Sequence, residues 1–435
     1  MKRQRILEGR DLSMEDDRIS ILPDAVIHSI LELLPTKCAV STSELSKRWR
    51  YMWTSISNYD FTEGFSLEIN PERTTTLMNL VDRVLFFRDM TTIKKFSVGV
   101  LGVFEESRVN AWVSTITMRK VQELFLAIYL LEQPYVFPES IFSCKSLTSL
   151  RLESNHCILK LPIHMHLPNL KNVHLKDITF PNDSSVLKFV SSCPTLEELI
   201  LYECKVMNMK TFCISSPMLK TLTIFFGEED GDDLSTCEIE ISAPNLIELD
   251  LISYALKDYS LSSFSSLVDA QIMIYSSDVN EALYNCVSKL LPSLLNVEVL
   301  KLSSDIILGN LLDAMVDATE LLEDKEFWKE MEVGDCGILD ATTTSSFLCL
   351  KKVEFIEFGS CKTELPLLIF FLKNARVLES LSIDFAPIDW MLRRKKLGQE
   401  SVNSEVPREN SYSSEFSREN SEDVGPDNSL RFHIS

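Results

Sequence analysis

The sequence predicts an α/β fold: a leucine-rich-repeat solenoid with a curved parallel sheet, preceded by a small three-helix segment and followed by a short terminal set of repeats. Three observations lead there. An element of the form apolar-x-x-apolar-x-apolar recurs eleven times, starting at Ile93, Val121, Leu147, Leu170, Leu196, Leu219, Leu246, Leu267, Val297, Leu350 and Leu378. The copies stand 21 to 30 residues apart except for one gap of 53, close to two periods, and this interval is that of a leucine-rich repeat. Upstream of the first copy, residues 16–61 crowd apolar groups at helical spacing between prolines.

Residues 1–15 form a basic head around Lys2, Arg3 and Arg5, with nothing to hold it to a core, so it is expected to be flexible. In residues 16–61, Pro23 stands at a helix start, and Val26, Ile27, Ile30, Leu31 and Leu34 follow at helical spacing until Pro35 ends the helix. A second short helix carries Ala39 and Val40. Thr42 or Ser43 is placed to cap a third, on which Leu45, Trp49, Met52 and Trp53 recur at threes and fours. Three such helices close only a small core. Exposing even four of these large side chains would forfeit several kcal/mol at ~1.5–3 kcal/mol each, so the segment is expected to dock on a partner protein or on the first repeat.

Residues 62–337 are assigned to the solenoid. Each copy supplies one strand, and its three apolar positions point into a core that no single repeat can close. Asn155 and Cys204 occupy the small polar position that follows the strand, where a side chain can satisfy backbone groups of the turn; Ile178 stands there in the copy at Leu170. A degenerate copy is expected near Leu321, within residues 306–337. The acidic run Glu228, Glu229, Asp230, Asp232 and Asp233 falls between copies without calcium-loop spacing and reads as a solvated loop. Strand alternation turns the intervening residues to the opposite, concave face. Candidate binding residues there are Arg151, Glu153, His174, Lys176, Ile200, Tyr202, Thr223, Phe225 and Asp250. Aromatic, aliphatic and mixed-charge groups side by side suit a protein or peptide partner.

Residues 338–390 carry the last two copies, and residues 391–435 hold the basic cluster Arg393, Arg394, Lys395 and Lys396 followed by a polar tail. From Gly398 onward nine Ser and eight Asp or Glu leave little apolar surface, too little to offset the entropy of ordering, so disorder is expected.

Composition removes several function classes. A net charge of -21 repels a phosphate backbone, so nucleic acid is not an expected partner. The longest apolar run, Leu367 to Leu372, falls far short of the ~18–20 residues of a membrane span, and the N-terminus has no apolar segment of signal-peptide length. Nucleus or cytoplasm is therefore the expected location. Eleven Cys, an odd number without a CxxC pair, read as small buried hydrophobes in a reducing compartment. His164 and His166 lack further ligands at metal spacing, and no cofactor motif is present. Neither G-x-S-x-G, a phosphate loop nor H-E-x-x-H occurs. A non-catalytic binding protein is expected.

The segment DRISILPDAVIHSILELLPTKCAVSTSELSKRWRYMW closely resembles an F-box of the plant type, through Leu22/Pro23/Asp24, Leu34/Pro35/Thr36/Lys37, Ala39/Val40, Thr42/Ser43, Leu45 to Arg50 and Trp53. Cys38 replaces the acidic residue usual after Thr-Lys. The repeats FPESIFSCKSLTSLRL, LPNLKNVHLKDITF and SCPTLEELILYEC resemble those of plant F-box/leucine-rich-repeat/FBD proteins, and Cys349 to Ile383 resembles the FBD segment with its Leu372/Lys373/Asn374/Ala375 helix. The stretch LLEDKEFWKEMEVGDCG departs from the family pattern. The resemblance implies the substrate-recognition subunit of an SCF-type ubiquitin ligase, with the F-box on a Skp-family adaptor that leads to cullin and RING protein, and the repeats holding an unidentified protein substrate. By the family motif, Leu22, Pro23, Ile27, Ile30, Leu31, Leu34, Pro35, Val40, Leu45 and Trp49 are the adaptor-contact candidates, with Leu31 and Trp49 the first to be expected in the F-box's own core. The alternative is a non-degradative protein-binding scaffold.

Overall fold

The computed structural model describes residues 19–385 and 429–433, apart from 20, 64, 66–67, 90–91, 132–134, 208, 227–236, 255–257, 262–263, 276–290, 304–346 and 359–374. The basic head, the acidic run 228–233, the degenerate copy expected near Leu321, residues 372–374 of the expected FBD helix, the Arg393–Lys396 cluster and most of the tail lie outside the described residues. The chain divides into two compact units, Met1–Leu167 and Pro168–Ser435.

The first unit opens with helices α1 (Asp24–Glu32) and α2 (Thr36–Ser41). Pro23 and Pro35 precede them at the N-caps, in extended conformation, because proline's fixed φ suits a helix entrance and its missing N–H costs nothing there. The expected third α-helix is instead two 3-10 segments, Thr42–Glu44 and Trp49–Ser55. Thr42 does not cap a new helix; its hydroxyl turns back to the Ala39 carbonyl at 2.6 Å. Tight 3-10 turns bring Trp49 and Trp53, 3% and 7% exposed, against Ile27 and Leu31 in one closed core.

Strand β1 (Asn58–Phe61) pairs in parallel with β2 (Lys95–Gly102), which pairs with β3 (Glu123–Leu130) and then β4 (Ser149–Ile158). Helix α3 (Pro71–Phe87) crosses from β1 to β2 and α4 (Glu106–Met118) from β2 to β3. Tyr59 lies opposite Phe96 and Phe61 opposite Val98, so Ile56/Tyr59/Phe61 is a twelfth copy of the repeat element. The last residues of the expected F-box segment 16–61 are thus the first rung of the sheet, and no linker separates them from the helical head. Three fastenings hold it there. The Glu32 carboxylate accepts from the Ser57 N–H and hydroxyl at 2.7 and 2.9 Å, the buried Thr36 hydroxyl accepts from the Asp60 N–H at 2.7 Å, and buried Arg88 donates to the Tyr59 hydroxyl at 3.3 Å. Burial is the main cause that raises the Tyr59 phenol above its ordinary pKa.

In the second unit the parallel order begins β5 (Asn172–Phe180), β6 (Glu198–Tyr202), β9 (Thr221–Phe225), β11 (Glu248–Tyr254). It continues through β13 (Asp269–Tyr275), β14 (Val299–Ser303), β15 (Lys352–Phe358) and β16 (Ser380–Phe385). The return segment after β5 is a helix, α5 (Asp183–Ser191), but the next returns are strands. A short β7 (Lys205–Val206) joins β5, while β8 (Thr211–Ser215), β10 (Glu238–Ser242) and β12 (Asp258–Leu261) form a second parallel sheet in the order β12-β10-β8. Local sequence explains the switch: VLKF places Val186, Phe189 and Val190 on one helical face, whereas TFCIS and EIEIS alternate with period two.

Every apolar position of the eleven predicted copies is at most 8% exposed. The turn position also behaves as expected: Asn155 Nδ2 donates to the Leu130 carbonyl at 2.7 Å, and the Cys204 thiol reaches the Leu175 carbonyl at 3.4 Å. Ile178 fills the same position by burial alone. Just before it, Asp177 and Glu203 adopt φ of 55° and 53°, a left-handed step that costs of order 1 kcal/mol for a non-glycine residue and turns the next side chain inward.

The tail expectation needs one correction. Ser429–His433 forms β17, antiparallel to β16, with Leu381 opposite Phe432 and Ile383 opposite Leu430. The edge of a stacked sheet presents unpaired N–H and C=O groups, and backbone pairing alone gives five polar-rich residues a place to order.

Candidate partner-binding surfaces

The helical head separates its apolar residues into two sets. Ile27, Leu31 and Trp49 are 0%, 0% and 3% exposed and belong to its core. Ile27, expected at the adaptor contact, thus lies inward with Leu31, its i+4 neighbour on α1. Pro23, Ile30 and Leu45 are exposed, while Leu22, Leu34, Pro35 and Val40 are half-buried. Two residues missing from the candidate set complete the open surface of α1. Val26, Ile30 and Leu33, at i, i+4 and i+7, are 41%, 37% and 85% exposed and form one stripe along the helix. Helical spacing alone held the signal, because Val26 and Leu33 lie one step round from the buried pair. At the end of the stripe Asp24 pairs with Arg48, whose Nε lies 3.2 Å from Oδ1. An open depression of about 370 Å³ is lined by Lys37, Cys38, Ser41, Thr42, Leu45 and Glu63.

The outward sheet faces hold the other candidates. In the first unit Arg151 is exposed, its guanidinium 4.7 Å from the Phe125 ring centre and its Nε 2.6 Å from Glu153. Glu153 is only 7% exposed and is also reached by the Tyr129 hydroxyl at 3.4 Å, so it positions Arg151 rather than meeting a partner. The expectation of partner contact at Glu153 meets a side chain that is almost wholly enclosed.

In the second unit His174, Lys176, Ile200, Tyr202, Thr223, Phe225 and Asp250 are all half-buried and outward. Pairing aligns them: His174, Ile200, Thr223 and Asp250 share one row, and Lys176, Tyr202 and Phe225 the next. Tyr202 and Phe225 stack at 4.6 Å, and the Lys176 ammonium lies 5.1 Å from the Tyr202 ring centre. Register extends these rows to residues not singled out in sequence. Asp250 leads to Gln271, Lys301 and Glu354, and Ile252 leads to Met273. Their copies begin with Leu267, Val297 and Leu350, where the Leu signature is weaker, yet the same in-between positions identify them. Just before the strands, Glu197 is held between Lys171 at 2.8 Å and Lys220 at 2.7 Å. These two ammonium groups pull its carboxyl down to about 2.

The thiols follow burial. Cys193 and Cys204 are pushed up to about 12, and Cys157 and Cys237 to about 11, chiefly by desolvation, which makes them inert. Cys38 and Cys349 are exposed, against the expectation for the set. His164 lines an open depression with Glu139 and Ser140. Among the described residues no three metal-ligating side chains cluster, and no helix is long and apolar enough to cross a membrane.

A stack of leucine-rich repeats whose first rung is continuous with a small helical head, apolar on its outer stripe, is the architecture of an F-box/leucine-rich-repeat protein. Family models match accordingly: F-box domain over residues 19–61, "FBD-associated F-box protein At5g56370, LRR repeats" over 109–260, and FBD over 348–383. Three relatives from Arabidopsis thaliana are similar. F-box/LRR-repeat protein At3g26922 is 31% identical over 67% of this chain and 90% of its own length. F-box/LRR-repeat protein At4g14096 is 35% identical over 60% and 55%, and F-box/FBD/LRR-repeat protein At5g56420 is 30% identical over 66% and 65%. The chain thus spans little more than half of the second relative and just under two thirds of the third. It belongs to the plant F-box/FBD/leucine-rich-repeat family, whose members are generally non-catalytic substrate adaptors.

Proposed function

We propose that the chain is the substrate-recognition subunit of an SCF-type ubiquitin ligase in the nucleus or cytoplasm. The F-box docks on a Skp-family adaptor, through it on cullin and RING protein, and the outward sheet face of the repeats binds a protein substrate. The observation that carries the reading is the stripe Val26–Ile30–Leu33, left open beside a helical core that is already closed. Burying such groups on a second protein recovers ~1.5–3 kcal/mol for each fully covered side chain. No chemistry is required of this chain. Tethering raises the effective concentration of a substrate lysine near the ubiquitin-charged enzyme, and a head fastened directly to the first rung limits the volume that the tether explores.

The test is co-expression with a Skp-family adaptor. The adaptor is expected to co-purify with the full chain, and no association would overturn the reading. A non-degradative scaffold is separated by following a confirmed direct binder while the proteasome is blocked: accumulation supports the ligase, and unchanged abundance supports the scaffold.

A further inference from the structure

Strand register in the second unit lays outward side chains into straight rows. One row opens with Lys176 on β5 and continues without charge through Tyr202, Phe225, Ile252 and Met273, the first three of these half-buried and Met273 buried. Nearer the strand starts, Glu198, Glu248 and Asp269 share a row, with Asp250 standing between the two. From β6 to β13 the outward positions of the three rows hold these four carboxylates and no Lys or Arg; cations flank that stretch in register, Lys176 on β5 and Lys301 on β14. Internal satisfaction is weak, since Thr221 reaches Glu248 only at 3.4 Å and Thr223 reaches Asp250 only at 3.5 Å. Burial above all, with a neighbouring carboxylate, raises the Asp250 and Asp269 carboxyls above their ordinary value against the opposing pull of the Lys301 ammonium. Carboxylates retained where folding disfavours their charge are what a binding surface for cations requires.

We infer that this face takes a basic amphipathic segment of the partner protein, with its apolar side chains along the Tyr202–Ile252 row and Lys or Arg over Asp250 and Asp269. The inference rests on the receptor reading above and narrows it to a class of target. Neighbouring strands are ~4.8 Å apart and alternate residues along a strand ~6.6 Å apart, so Asp250, one step from the apolar row, lies within the ~10–12 Å width of one helix crossing the strands, and Asp269, two steps or ~13 Å away, lies at its edge, within reach of a long Lys or Arg side chain. Half-buried aromatic groups supply desolvated contact area, and the carboxylates select the charge of what lies beside them. The chain's net charge of -21 steers a basic partner towards it over longer range.

The test uses the full chain with its adaptor and three fluorescent 14-residue peptides. The first places Leu and Lys on opposite sides of a helix, the second replaces Lys with Glu, and the third replaces Leu with Ser. Anisotropy is expected to show the first binding at least tenfold more tightly than either of the others. Asp250→Asn with Asp269→Asn is expected to weaken it at least fivefold, and Phe225→Ser to do the same. A control, Glu139→Gln with Glu240→Gln, removes equal charge from outside the face and is expected to leave binding within twofold. The inference is overturned if the first peptide does not bind, if the Glu peptide binds as well, or if control and face variants weaken binding equally. Adaptor retention is read in the same samples, so failure of the receptor reading shows as adaptor loss and failure of the charge inference as altered peptide preference alone.

Discussion

Replacing Ile30 and Leu33 together with Ala separates docking from folding on a single helix. Leu33 is 85% exposed and Ile30 37%. At ~1.5–3 kcal/mol for a fully buried side chain, the area they already bury within the chain contributes about 1–2 kcal/mol to folding. The area still open would contribute about 2–3.5 kcal/mol on complete burial against an adaptor, or roughly 25- to 400-fold in affinity. The variant is therefore expected to fold, with a melting temperature lower by a few degrees, and to bind the Skp-family adaptor at least 25-fold more weakly by titration calorimetry. Ile27→Ala with Leu31→Ala is the necessary contrast. Both side chains are fully buried, and their loss costs about 2–5 kcal/mol each, which melts the head itself. A folded Ile30/Leu33 variant with unchanged adaptor affinity would refute the placement of the docking stripe.

Three further outcomes follow from the second unit. Leu222→Ala, in register between Leu199 and Leu249 and fully buried, is expected to lower stability by about 2.5–5 kcal/mol in urea unfolding. Asp250→Asn with Asp269→Asn is expected to raise the melting temperature at neutral pH. Their carboxyls are raised in the folded state, so the native state holds those protons more tightly and loses stability as pH climbs through the folded values; the gain should fade on acidification, and an equal gain at every pH would contradict it. Glu197 behaves in the opposite sense. Its carboxyl is depressed to about 2, so its contribution is present above the ordinary carboxylate range and disappears as pH falls towards 2. Thermal melts of wild type and Glu197→Gln should differ at pH 6 in low salt and converge near pH 2.

The solenoid was legible because its core is written in register with itself: each copy repeats the same three apolar positions, and stacking buries all of them. The first rung is hard to read although Ile56/Tyr59/Phe61 obeys the same rule, because it lies inside the segment that the F-box motif accounts for. The return strands β8, β10 and β12 were missed because they fall between the Leu elements and carry only short alternating runs. Among the adaptor candidates, motif matching picks out α1 without separating its two faces. Motifs record which residue types occur together, and only packing against Trp49 and Trp53 distinguishes Ile27 from Val26.

By itself the sequence determined the repeat period, the inward positions, the polar turn residue and the presence of a helical head with more apolar groups than it can enclose. These are local or periodic properties that each copy carries independently. Tertiary structure decided what depends on residues far apart in the chain: which side of α1 remains open, that Glu153 is enclosed, and that an acidic row and an apolar one share a sheet face with Asp250 between them. The cause is strand pairing, which brings positions more than twenty residues apart to within one strand spacing and sets their side chains next to each other.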